Sequence, residues 1–139
     1  MRHPTTVLAA LLLATALPGC GDSDDTQTTG AVQDDQRGIL STVDALQTAT
    51  RAGDGTKVCS SLFTKSLVRS IEKASEQACA AEVEENLFKP GGSISVGRDI
   101  TVKGATGTAV IREQNGNVST LHLVEQDAAW RINRVTPQR

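Results

Sequence analysis

A chain of 139 residues with a formal net charge of −2 has room for one domain of ordinary size around a single core. It carries no basic block of the kind that binds nucleic acid. Its aromatics are Phe63, Phe88 and Trp130, with no tyrosine, which excludes stacking platforms for bases or sugars and a phenolic oxyanion donor.

The N-terminus reads as an address. Met1-Arg2-His3 brings one certain positive charge, Thr5 to Leu17 is almost wholly apolar or hydroxylic, and the segment closes on small residues, which is the layout of an export signal. Spanning a bilayer takes about 20 apolar residues, so the run is too short for a transmembrane helix. Leu17-Pro18-Gly19-Cys20 resembles a bacterial lipoprotein lipobox. The resemblance implies cleavage before Cys20, a thioether lipid on Cys20 with palmitate among its acyl chains, and a protein held on the extracytoplasmic face of the cell membrane. One acyl chain anchors only marginally at about 0.8 kcal/mol per buried CH₂, whereas the implied diacyl group holds. The competing reading is an ordinary secretory signal cut elsewhere, with Cys20 a stray thiol.

With Cys20 set aside, Cys59 and Cys79 remain, and an even pair in an exported chain reads first as a disulfide. Closing a loop of about 20 residues stabilises by roughly 3 kcal/mol in the chain-entropy model. A metal site or a reactive thiol is the alternative. A metal needs three or four ligands, and beyond the signal only His122 would join the two thiols, so neither metal nor cofactor is expected.

In chain order, residues 1–19 are the signal and residues 20–35 a lipidated cysteine with an acidic tether. Gly21 to Asp35 is rich in Asp, Thr and Gly and has too little apolar surface to order itself. As a flexible spacer it would hold the domain roughly 20 Å off the membrane. The folded domain then covers 36–139. Ile39, Val43, Leu46 and Thr50 share one helical face, which predicts a helix over 36–52, capped by Asp34 or Asp35 and ended by Gly53. Asp54 can cap a short helix carrying Val58, Cys59 and Leu62, and Thr64 a third with Leu67, Val68 and Ile71. Ser75 can cap a fourth through Cys79, Val83 and Leu87, and Pro90-Gly91-Gly92 closes the helical half.

Beyond Gly92 the pattern turns to period two, predicting strands near 93–96, 100–102, 108–113, 118–125 and 129–135. Asn115-Gly116 favours a two-residue type I′ hairpin, which would pair Gln114 with Asn117, Arg112 with Ser119, Val110 with Leu121 and Thr108 with Leu123. A turn over Gln126 to Ala129 would pair Leu123 with Ile132 and Leu121 with Arg134. One face then collects Val110, Leu121, Leu123, Trp130 and Ile132 against the helices, and the other Ala109, Ile111, His122, Val124, Arg131 and Asn133.

This order of helices and then a curved antiparallel sheet resembles the NTF2-like superfamily, an α+β cone. Ala52-Gly53-Asp54-Gly55 with Val58-Cys59, Cys79 in a later helix, and the closing strand with Trp130-Arg131-Ile132 carry the likeness, over roughly Gln36 to Val135. Small actinobacterial-type lipoproteins with an NTF2-like domain look like this. The resemblance implies a conical cavity between helices and sheet, used in some members for catalysis or for binding small apolar molecules. Its lining would be Val110, Leu121, Leu123, Trp130 and Ile132, with Arg112 and Arg134 at the mouth, placed to take a carboxylate or phosphate or to pair with Glu113 or Glu125.

An isomerase or dehydratase of this fold needs a general base beside an oxyanion donor. His122 has the chemistry, yet the register puts it on the face away from Trp130. Asp99 and Glu113 are isolated acids near strand ends, no G-x-S-x-G elbow surrounds a serine, and the glycines lack phosphate-loop spacing. Asn117-Val118-Ser119 forms a glycosylation sequon without significance in a bacterial lipoprotein. The expectation is a non-enzymatic, lipid-anchored envelope module that binds a small ligand or partner protein in its cone, with the outer sheet face open to homodimerisation. A cavity enzyme of the isomerase or dehydratase type is the alternative, and a cone filled by its own side chains a third reading.

Overall fold

The computed structural model describes residues 25–89 and 91–138, so the export signal and Cys20 lie outside the described residues. The first helix, α1, runs from Asp25 to Ala52, starting well before Gln36. The stretch from Asp25 to Asp35, expected to be an unstructured spacer, is helical. Asp34 pairs with Arg37 one turn on at 2.7 Å, a contact that supports a helix through this acidic stretch. The apolar stripe of Ile39, Val43 and Leu46 is fully buried, as its spacing predicts.

Asp54 accepts the Lys57 N–H at 2.8 Å and starts α2 (Gly55–Lys57), which widens into a π-helical turn over Val58–Leu62. Thr64 caps α3 (Lys65–Ser75), accepting from the Leu67 N–H at 3.1 Å. Ser75 is the last residue of α3 rather than a cap, its hydroxyl donating to the Ile71 carbonyl at 2.9 Å. Helix α4 (Cys79–Glu82) follows and ends in a second π turn, Val83–Leu87. Cys59 and Cys79 form a disulfide, Cα atoms 6.2 Å apart, that ties the π turn of α2 to the start of α4.

The sheet is an antiparallel meander in the order β1-β2-β3-β4, formed by β1 (Ile94–Lys103), β2 (Thr106–Glu113), β3 (Val118–Gln126) and β4 (Ala129–Gln138). The two short strands expected at 93–96 and 100–102 are one strand, β1, with a bulge between Val96 and Ile100.

The β2–β3 register differs by one residue from the expected one. Glu113 faces Asn117 and accepts from the Gly116 N–H at 2.9 Å, so the loop is three residues, Gln114 to Gly116. Gly116 takes the left-handed position at φ 87, the conformation that closes a type I turn of this length. The Asn115 carboxamide accepts from the Asn117 N–H at 2.8 Å, an Asx turn that favours the longer loop. The slip pairs Ala109 with Leu121 and Val110 with Thr120, turning every β2 side chain over. Ala109 and Ile111 are therefore buried against the helices, and Val110 and Arg112 sit on the opposite face.

The type I′ turn occurs instead at β3–β4, where Asp127 and Ala128 have φ of 53 and 57. Leu123 pairs with Ile132 as expected. One residue further Asn133 bulges out, so Leu121 meets Val135 and Arg134 meets His122. The Asn133 side chain accepts from the Thr64 hydroxyl at 3.0 Å, and Thr64 N–H donates to the Ile132 carbonyl at 2.9 Å. The bulge thus fastens the start of α3 to β4.

Candidate functional site

Helix α1 lies across the inner face of the sheet, and the two ends of that face differ. At the Trp130 end the packing is closed. A Cβ on Gly38 would stand 2.5 Å from the indole Cδ1, and one on Gly107 2.5 Å from Ile39 Cδ1, so a side chain at either position would have to push the indole or Ile39 aside. The Thr42 hydroxyl donates to the Trp130 carbonyl at 2.9 Å in a buried bond. Leu121, Leu123 and Ile132, at no more than 1% exposure, face α1 as expected. They are filled core, not cavity wall.

At the other end, where α1 finishes and the β2–β3 loop turns, the layers part. A cavity of about 240 Å³ opens there, lined by Thr50, by Phe88 to Ser93 through Lys89 and Gly92, by Ile94, and by Glu113, Gln114 and Asn115. Phe88 and Ile94 are buried and make its body apolar. Lys89 is exposed and Glu113 half-buried, and Asn115 Nδ2 donates to Glu113 Oε2 at 3.4 Å. Thr50 is 5% exposed, and its Oγ1 has no hydrogen-bond partner.

None of the seven residues expected to line a cavity lines this one. Leu121, Leu123, Trp130 and Ile132 lie on the correct face at the closed end. Val110 and Arg112 are turned to the outer face by the three-residue loop, and Arg134 by the bulge at Asn133. Arg112 donates to the Gly116 carbonyl at 3.4 Å, so neither arginine guards the opening. The actual lining comes from segments with weak patterns, the chain after α4 and a hairpin loop. Its one sequence signal is Thr50, a hydroxyl on the buried stripe of α1.

His122 is on the outer face, as its register suggests. Its Nε2 lies 3.2 Å from the Thr136 hydroxyl. Partial burial and then the neighbouring Arg134 guanidinium hold its pKa below the usual histidine value. A second pocket there, of about 370 Å³, contains His122, Arg134, Thr101 and Thr108. A third and wider groove of about 900 Å³ runs between the start of α3 and the β3–β4 turn, with Lys65, Arg69, Asp127 and Arg131 on its walls. Arg131 is held there by donating to the Ser61 carbonyl at 2.8 Å. Among the described residues no three metal-ligating side chains gather, and no helix is long and apolar enough to cross a membrane.

An NTF2-like protein of unknown function from Shewanella baltica superposes with a TM-score of 0.51 at 14% identity, over 84% of this chain and all of that one. The chain has the NTF2-like fold. Neither a protein-family model nor a curated protein matches the sequence. Within this fold, Trp130 and α1 fill one end of the inner sheet face and the 240 Å³ cavity opens at the other.

Proposed function

We propose that this protein is a lipid-anchored module of the cell envelope that is not an enzyme and binds a small ligand in the open end of its NTF2-like cone. The carrying observation is the 240 Å³ cavity with its buried apolar body of Phe88 and Ile94. Ligand sites are concave and mostly apolar with a few polar groups, and this wall has that make-up. His122, the one histidine beyond the signal, is on the far side of the sheet from the cavity. The anchor at Cys20 rests on the lipobox resemblance of Leu17-Pro18-Gly19-Cys20.

Native mass spectrometry of the protein taken from its host's membranes tests the reading. A stoichiometric small-molecule adduct that is lost on filling the cavity with Ser93→Trp is expected, and an adduct that survives the substitution would locate the binding elsewhere. For the anchor, Cys20→Ser should move the protein from the membrane to the soluble fraction, and unchanged retention would refute lipidation.

One observation favours the enzyme reading. Glu113 is a half-buried carboxylate in the cavity wall, and a carboxylate within reach of a bound molecule can act as a general base. If that reading holds, Glu113→Gln abolishes turnover of a substrate while leaving its binding within a fewfold of the original. A bound ligand recovered chemically unchanged from both forms refutes it.

A further inference from the structure

We propose that the outer face of the sheet carries a second binding site, separate from the cavity at the end of α1, for a phosphate group borne by a small soluble ester or a lipid head group. Cross-strand pairing places four side chains in one row over the four strands. Thr101 pairs with Thr108, Thr108 with His122 and His122 with Arg134, and residues directly opposite in a sheet share a face. The row lies in the pocket of about 370 Å³, which Lys103 also lines. The bulge at Asn133 brings Arg134 there, since an unbroken ladder beyond Leu123–Ile132 would set Arg134 against Leu121 on the inner face. Bulges re-aim side chains in this way beside functional sites.

The pocket gathers donors and lacks a counter-ion. Arg134 and Lys103 are exposed; among the described residues neither makes an ion pair, and no carboxylate lines the pocket. A cation directly opposite another is repulsive, and burial together with the Arg134 guanidinium holds the His122 pKa below its ordinary value. An oxyanion supplies the missing charge. The guanidinium can take two of its oxygens in parallel N–H···O bonds, with the imidazole and the Thr108 hydroxyl on the next two strands, each about 4.8 Å further on. A phosphate, with three free oxygens and up to two charges, uses this set more fully than a carboxylate. At about 30 Å³ for each water-sized unit, 370 Å³ accommodates the phosphate and several atoms of the group that carries it. The wider groove by α3 also has cations, but Asp127 stands among them and Arg131 is engaged by the Ser61 carbonyl.

The ring signals of His122 in proton–carbon NMR spectra of the full chain, assigned by their loss in His122→Asn, report on the site. At neutral pH, inorganic phosphate is expected to move them saturably toward the protonated position, because an anion beside the ring favours imidazolium. Chloride at equal ionic strength is not. Arg134→Gln should raise the phosphate dissociation constant about tenfold, the worth of one charge-assisted hydrogen bond. Arg112→Gln, which removes an exposed arginine of the same face outside the pocket, should leave it unchanged. An equal shift with chloride, or an unchanged constant in Arg134→Gln, overturns the site. Glycerol phosphate and dihexanoyl phosphatidic acid then identify the source: tighter binding of the first assigns a soluble ester, and of the second a lipid head group.

Discussion

The two ends of the concave face are built from the same layers and come out opposite. At the Trp130 end, two glycines, Gly38 and Gly107, let α1 and β2 approach until the indole and Ile39 fill the space between them. At the Ile94 end, no such pair exists, the helix stops at Ala52, and the segment after α4 covers the gap with Phe88 and Lys89. Both ends carry large apolar side chains, and the closed end is set apart by two glycine positions where the indole and Ile39 occupy the space a side chain would take.

The largest effects should separate the ends. Truncating Ile132 to Ala at the closed end is expected to cost about 2–5 kcal/mol, as such core truncations do, and Ile94→Ala less, because it borders existing space. Urea denaturation measures both, and equal losses would break the contrast. Replacing Cys59 and Cys79 together by Ala should cost about 3 kcal/mol, read as a lowered denaturation midpoint that no longer responds to reductant. Thr50→Val should stabilise by about 1 kcal/mol by removing an unpaired buried hydroxyl, with a higher Tm in the ligand-free protein as the check.

Ala128→Gly should stabilise by about 1 kcal/mol, since the alanine at φ 57 carries a left-handed cost of that order. A lower Tm would show that the turn is not held in this form. The smallest effect is on pH. Burial and Arg134 lower the His122 pKa in the folded state, so the unfolded chain binds the proton more readily. Stability contributed by neutral His122 is present above the ordinary histidine pKa of about 6.5 and is lost as pH falls below it. His122→Asn should flatten this slope in denaturation midpoints taken between neutral and mildly acidic pH.

Local chemistry was legible in the sequence. Asp54 and Thr64 cap the helices they were assigned because each side chain reaches an amide three residues on, within a single turn. The disulfide followed from cysteine arithmetic, and the Leu123–Ile132 pairing from the turn at Gln126 to Ala129. The cavity was not legible, because it depends on sheet register, and register hung on one loop. Asn115-Gly116 fits both a two-residue turn and a three-residue loop with Gly116 last. The Asn115 side chain and the chance to bury Ile111 rather than Val110 decide for the second. Arg134 was misplaced for a non-local reason, because the bulge at Asn133 answers to Thr64, far away in sequence. The helical state of Asp25 to Asp35 is not legible because an acidic stretch poor in apolar residues has the composition of a disordered one.

Helix α1 spans 28 residues, a rod of about 42 Å at 1.5 Å per residue. Gly38, pressed on Trp130, divides it into arms of about 20 Å toward Asp25 and about 18 Å toward Thr50. The contact thus lies near the middle of the rod. From there to Thr50 the helix is seated on the sheet by Val43, Leu46 and Ala49, all buried, so the face that fills the closed end also fixes where the cavity begins.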